Sequence, residues 1–134
     1  MIRQEKKVFT PNATTGLLVQ CALKILKKKS DILDLGCGTG YVGLSVAKKA
    51  KIKNKYFFSD VSKEAITLCK KNAKINKVSI YAKVGTMYEP WTGNKFDLII
   101  ESISAIAEKV AKVSPWYKNE IPCDCGDDGT DLVN

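Results

Sequence analysis

The stretch Asp31-Ile-Leu-Asp34-Leu-Gly36-Cys37-Gly38-Thr-Gly40 constrains this chain more than any other. Ile32, Leu33 and Leu35 form a short apolar run that stops at a glycine cluster, the pattern of a buried strand. From Tyr41 to Ala50 the apolar residues Val42, Leu44, Val46 and Ala47 return at helical spacing. A strand therefore runs into three glycines at alternate positions, and a helix follows. Glycine belongs where the backbone turns tightly and where a ligand must approach the main chain without meeting a Cβ. A helix N-terminus behind such a loop offers free N–H groups and a partial positive charge.

The rest of the chain repeats the alternation. Pro11 to Lys29 reads as a helix, capped by Thr14 or Thr15, with Leu17, Leu18, Cys21, Ala22, Ile25 and Leu26 at helical spacing. Tyr56 to Ser59 is a second strand, ending at Asp60. Ser62 is a good N-cap for a helix to about Asn76. Val78 to Val84 alternates like a strand, and Phe96 to Ile100 is a fourth, apolar enough to be central. Residues 102–120 begin as a helix that Pro115 ends, and the polar segment from Ile121 onward reads as a loop. Such an order predicts βαβ crossovers and an α/β, Rossmann-like, doubly wound, mainly parallel sheet. Domains of this kind normally add further strands, so the sheet is expected to be incomplete at its C-terminus.

Composition removes several function classes. At 134 residues the chain allows one domain, and no apolar run approaches the roughly 20 residues of a membrane-spanning helix. The opening MIRQEKKVFT lacks the apolar core of a signal peptide, so a cytoplasmic domain is expected. The absence of histidine excludes His general bases, Ser-His-Asp triads and His-containing zinc sites. Five cysteines do not make a disulfide framework in that setting, and the single Cys123-Asp-Cys125 pair cannot fill a tetrahedral zinc site, so no metal is predicted. Residues 1–120 carry 22 basic against 10 acidic side chains, which permits an anionic partner such as nucleic acid. All but Arg3 of those bases are lysines, and arginine is the residue of bidentate phosphate and guanine contacts. Solvated lysine faces are the simpler reading.

The glycine loop lies where ligands of open α/β folds bind, at the carboxyl edge of the sheet. About twenty residues on, Asp60 ends the second strand, placed to accept hydrogen bonds from a ribose. That pairing suits an adenosine-containing cofactor. Gly38-Thr-Gly40-Tyr-Val-Gly43 matches the dinucleotide pattern GxGxxG, so an NAD-dependent oxidoreductase is one reading. Against it stands Asp34, two residues before Gly36, where a carboxylate would face a pyrophosphate unfavourably. S-adenosylmethionine, with its ammonium and sulfonium, suits Asp34 better. Cys37 is read as a small packing residue of the loop and not as a nucleophile.

DILDLGCGTG resembles motif I of the class I S-adenosylmethionine-dependent methyltransferases, and Asp60 in YFFSDVS resembles their ribose acid. VFTPNATTGLLV, AITLCKKNAKINKV, VGTMYEPWTGNKFDLII and CGDDGTDL are similar to segments of the release-factor glutamine N5-methyltransferases (HemK-type, methyltransferase small domain), together spanning most of residues 8–132. The resemblance implies a cofactor site of Asp34, Gly36, Cys37, Gly38, Gly40, Asp60, Val61 and Thr86, with Thr86 standing where the family has an acid for the adenine amino group. That family carries Asn-Pro-Pro-Tyr after its fourth strand. Here Ser102 aligns on the asparagine and Ala105 on the tyrosine, so the amide that would hold a planar nitrogen is missing.

These readings converge on one expectation: a leader and first helix over residues 1–30, and a methyltransferase core over residues 31–134. The core would transfer a methyl group from S-adenosylmethionine to a nitrogen of a protein or nucleic-acid acceptor. A sulfonium is already activated, so placement at about 3–3.5 Å and exclusion of water matter more than strong acid–base groups. Glu101, at the end of the fourth strand, is the candidate to orient or deprotonate the acceptor, with Ser102 beside it. Trp91, Trp116 and Tyr117 are read first as seals of hydrophobic edges and second as acceptor walls. The rival reading is a cofactor-binding module that is idle or partner-dependent without the Asn-Pro-Pro-Tyr motif.

Overall fold

A computed structural model describes residues 1–26, 28–103 and 106–131. The first helix, α1 (Ala13–Ile25), is shorter than Pro11–Lys29 at both ends. Its cap is Asn12, not Thr14 or Thr15. The Asn12 side chain accepts from the Thr15 N–H at 3.1 Å and the Asn12 N–H donates to Thr15 Oγ1 at 3.2 Å, a reciprocal capping box. Leu26 is extended and ends the helix, with Lys24 in its last turn.

Strand β1 (Asp31–Leu35) leads through the glycines into α2 (Tyr41–Lys49). Strand β2 (Lys55–Asp60) leads into α3 (Lys63–Asn76), whose cap is Ser62, accepting from the Ala65 N–H at 3.1 Å. Strand β3 covers only Tyr81–Val84, because Val78 and Ile80 pack against the core before the chain enters the sheet. A 3-10 turn at Glu89–Trp91 follows, then β4 (Leu98–Glu101). Two short helices close the described chain, α4 (Glu108–Ala111) and α5 (Pro115–Lys118). Pro115 opens α5 instead of ending a helix, since its fixed φ suits a first helical position and Ser114 caps it.

The sheet is parallel, in the order β3-β2-β1-β4. The expected α/β, Rossmann-like parallel sheet is therefore present, but β4 lies at an edge among the described residues and is not central. Asp34 stands opposite Phe58 and Ile100, and Leu35 opposite Ser59 and Glu101, so the ends of β1, β2 and β4 meet at one carboxyl edge.

Side chains alternate across a sheet. Ile32, Tyr56, Phe58 and Ile100 join the core that holds Val19 and Ala22 of α1, Val42 and Leu44 of α2, and Ile66 and Cys69 of α3, so the three long helices cover one face. Phe58 is wholly buried there, a burial that stabilises by roughly 1.5–3 kcal/mol. Leu33, Leu35 and Phe57 point the other way. They are sealed by Trp91, Phe96 and Met87, with Phe57 stacked on Tyr81 at 4.9 Å and edge-on to Trp91 at 5.2 Å. Trp91 is thus a core residue, as first read. No described helix is long and apolar enough to cross a membrane.

Candidate functional site

At the carboxyl edge lies a cleft of about 370 Å³, within the roughly 300–1,000 Å³ of small-molecule sites. Its floor is the β1–α2 loop. Gly36, Gly38 and Gly40 all have positive φ (66°, 51° and 77°), a conformation that disfavours any side chain. At Gly36 a Cβ would also lie 2.7 Å from Ile103 Cγ2.

Asp34 is buried at 1 % exposure and borders the cleft. Its Oδ2 accepts from the Gly43 N–H at 2.7 Å, in the first turn of α2. Its Oδ1 has no hydrogen-bond partner among the described residues. Burial pushes the Asp34 carboxyl up to about 7, against the lowering pull of Gly43, with a smaller contribution from the charge of Asp60. A half-satisfied buried carboxylate beside a cleft suits a cationic ligand group.

Asp60 ends β2. Its Oδ2 accepts from the Gly38 N–H at 2.8 Å and its Oδ1 from the Ser62 N–H at 2.9 Å, which ties the glycine loop to the start of α3. Burial holds this carboxyl above its ordinary value, although the backbone amides of Ser62, Gly38 and Val61 oppose the shift. A carboxylate has about four acceptor positions, so these bonds leave capacity for ligand hydroxyls.

The structure brings the other predicted cofactor residues, Cys37, Val61 and Thr86, to the same cleft. Val61 and Thr86 are exposed there, while Cys37 is buried, its thiol pushed well up by the neighbouring Cys69 thiol and by burial. Ser102 also lines the cleft. Glu101 does not. Its neighbour Ile100 enters the helix-covered core, so alternation carries Glu101 to the opposite face, where it is exposed. Trp116 lines the cleft, while Tyr117 is exposed outside it. Ala105 lies outside the described residues.

Sequence reasoning missed the roof. Val8, Phe9 and Pro11 of the leader line the cleft from one side, and Ile106, Trp116, Ile121 and Pro122 from the other. The two sides meet where Phe9 packs edge-on against Trp116 at 5.3 Å and Lys7 pairs with Glu120. The signal was an apolar Val8-Phe9 step directly after the charged run Glu5-Lys6-Lys7.

The sequence profile of the methyltransferase small domain family matches residues 2–102. A release factor glutamine methyltransferase of Aquifex aeolicus is 28 % identical over 119 residues, covering 86 % of this chain and 42 % of its own length. A ribosomal protein L11 methyltransferase of Dictyoglomus turgidum is 30 % identical over 114 residues, covering 83 % of this chain and 36 % of its own. This chain thus spans less than half of either relative. Among solved structures, the ribosomal protein L11 methylase of Lactobacillus delbrueckii subsp. bulgaricus superposes with a TM-score of 0.63 at 24 % identity, over 90 % of this chain and 61 % of that one, a likeness of fold. Strand order, glycine loop, strand-end acid and profile agree: the chain belongs to the methyltransferase small domain family of class I S-adenosylmethionine-dependent methyltransferases.

Proposed function

We propose that the chain binds S-adenosylmethionine in this cleft and transfers its methyl group to a nitrogen of a protein acceptor in the cytoplasm. Residues 31–134 form the cofactor core and residues 1–30 a leader that helps close it. The observation that carries the reading is the partnerless Asp34 Oδ1, buried beside a glycine loop and bordering the cleft. It fits a ligand ammonium and disfavours the pyrophosphate of NAD.

When bound, S-adenosylmethionine supplies an activated methyl group on its sulfonium. Asp34 holds the amino-acid end, and Asp60 and Val61 the ribose and the edge of the base. Thr86 offers a hydroxyl toward the adenine amino group. Gly36, Gly38 and Gly40, with Cys37, let the main chain come close. Phe9, Trp116 and Ile121 exclude water. Ser102 is the catalytic candidate, because its hydroxyl can accept from an acceptor N–H at the cleft. Protein leads nucleic acid as acceptor because the matched relatives are named for a release factor and for ribosomal protein L11.

Titration calorimetry with S-adenosylhomocysteine and, in parallel, NAD tests the cofactor assignment. Micromolar binding of the first alone is expected, and binding of NAD alone would overturn it. Incubation with methyl-labelled S-adenosylmethionine and candidate translation proteins then tests transfer. Glu101 outside the cleft, and Ser102 where the family has an amide, favour a second reading: a cofactor-binding module that needs a partner to turn over. Binding without label transfer would select it.

A further inference from the structure

Asn72 of α3 is wholly buried and touches two segments distant from it in the chain. Its Oδ1 accepts from the Arg3 N–H at 2.8 Å, and its Nδ2 donates to the Arg3 carbonyl at 3.1 Å, so it pairs with the leader as a neighbouring strand would. Its Nδ2 also donates to the Thr39 carbonyl at 2.9 Å, between Gly38 and Gly40 of the cofactor loop. An amide has two N–H donors, and both are committed. One turn on, Asn76 repeats the device. Its Nδ2 donates to the Met1 carbonyl at 2.8 Å and to the Asn72 carbonyl at 2.8 Å, and its Oδ1 accepts from the Met1 amino group at 3.2 Å.

The leader so anchored runs on to Val8, which is buried against Ala65 and Leu68 of α3. A Cβ at Gly38 would lie 3.7 Å from Val8 Cγ1, so the anchored leader and the loop are in contact distance of one another at the cleft. We propose that Asn72 is a positioning residue: its single amide locks the leader and the Thr39 carbonyl into one arrangement, so that leader docking and the cofactor-binding shape of the loop form together. This deepens the S-adenosylmethionine reading and rests on it for the affinity arm below. The amide chemistry is specific. A carboxylate has no N–H, so Asn72→Asp would set acceptor against acceptor at both the Arg3 and Thr39 carbonyls, in a buried place.

The test uses the full chain and the variants Asn72→Asp, Arg3→Pro and their combination. Arg3→Pro removes the N–H that Asn72 Oδ1 accepts and leaves α3 untouched. S-adenosylhomocysteine affinity is expected to fall about 10-fold in Asn72→Asp and about 3-fold or more in Arg3→Pro. The double variant should be no weaker than Asn72→Asp, because both changes break one unit. Amide exchange, read without ligand, should quicken at Cys37 and Gly40 in Arg3→Pro while Leu33 of β1 stays protected. Unchanged loop exchange in Arg3→Pro, or affinity losses that multiply in the double variant, would overturn the proposal. If wild type binds no S-adenosylhomocysteine, the cofactor reading fails, and loop exchange still decides the coupling.

Discussion

The Gly43 N–H donates to Asp34 Oδ2 at 2.7 Å, and this one bond decides which half of the Asp34 carboxylate is left for a ligand. It anchors the carboxylate to the first turn of α2, where the helix macrodipole favours negative charge. The other oxygen is buried and has no hydrogen-bond partner among the described residues, on a side chain that borders the cleft.

Asp34 should therefore set a pH dependence. Its folded value of about 7 is raised above the ordinary 3.8, so the ligand-free protein has the full benefit below about pH 4 and loses it as pH rises through about 7. That difference corresponds to on the order of 4 kcal/mol, which Asp34→Asn should remove from the pH profile of urea unfolding. An ammonium ligand needs the ionised form. Binding of S-adenosylhomocysteine should tighten from pH 5.5 to 7.5 and release protons near pH 6, read as calorimetric heats that differ between buffers.

Gly43→Ala reverses a usual sign. Alanine within a helix normally gains about 0.5–1 kcal/mol over glycine. Here the new Cβ would lie 2.5 Å from Phe58 Cε1 and 2.9 Å from Asp34 Oδ2, atoms fixed in the core. A loss of about 1–3 kcal/mol is expected from urea denaturation, together with weaker cofactor binding.

Asp60→Ala should weaken S-adenosylhomocysteine binding roughly 10- to 100-fold, the scale of losing hydrogen bonds to a charged group. It also frees the Gly38 N–H, which Asp60 Oδ2 holds at 2.8 Å. Asp60→Asn keeps one acceptor and should lose less. Unchanged binding in the alanine variant would remove Asp60 from the site.

Glu101 and Ser102 are neighbours in sequence with opposite expectations. Glu101→Gln should leave cofactor affinity and methyl transfer within about twofold, because the side chain is exposed outside the cleft. Ser102→Ala should lower kcat with little change in cofactor Kd. A large loss in Glu101→Gln would mean that the acceptor approaches from the face of the sheet opposite the three long helices.

The parts that read well from sequence are those set by local chemistry. Ile32 to Gly40 announces strand, turn and helix by its apolar run and its glycines. Ser62 announces a helix start by its hydroxyl, and Asp60 lies where the strand end placed it. What stayed hidden depends on contacts between distant segments. Asn12 and Thr15 compete as caps within four residues, and only the three-dimensional turn decides between them. Nothing local to Phe9 and Trp116 shows that they meet across the cleft. Asn72 looks like any polar residue on a helix until Arg3 and Thr39 are seen on either side of it. The exposure of Glu101 follows from its parity with Ile100, a register that apolar composition alone cannot supply.

The strand order divides the molecule by protection. β1 is hydrogen-bonded along both sides and lies beneath the buried core, whereas β4 pairs, among the described residues, only with β1. Opening that costs least free energy should therefore begin at the two edge strands, β3 and β4, and reach β1 and β2 last. The glycine loop and Asp60 grow from the slow-exchanging strands, and Thr86 and Ser102 from the fast-exchanging edges. The loop and the ribose acid are thus seated on the rigid centre of the domain, while Thr86 and Ser102 ride on the edges that breathe.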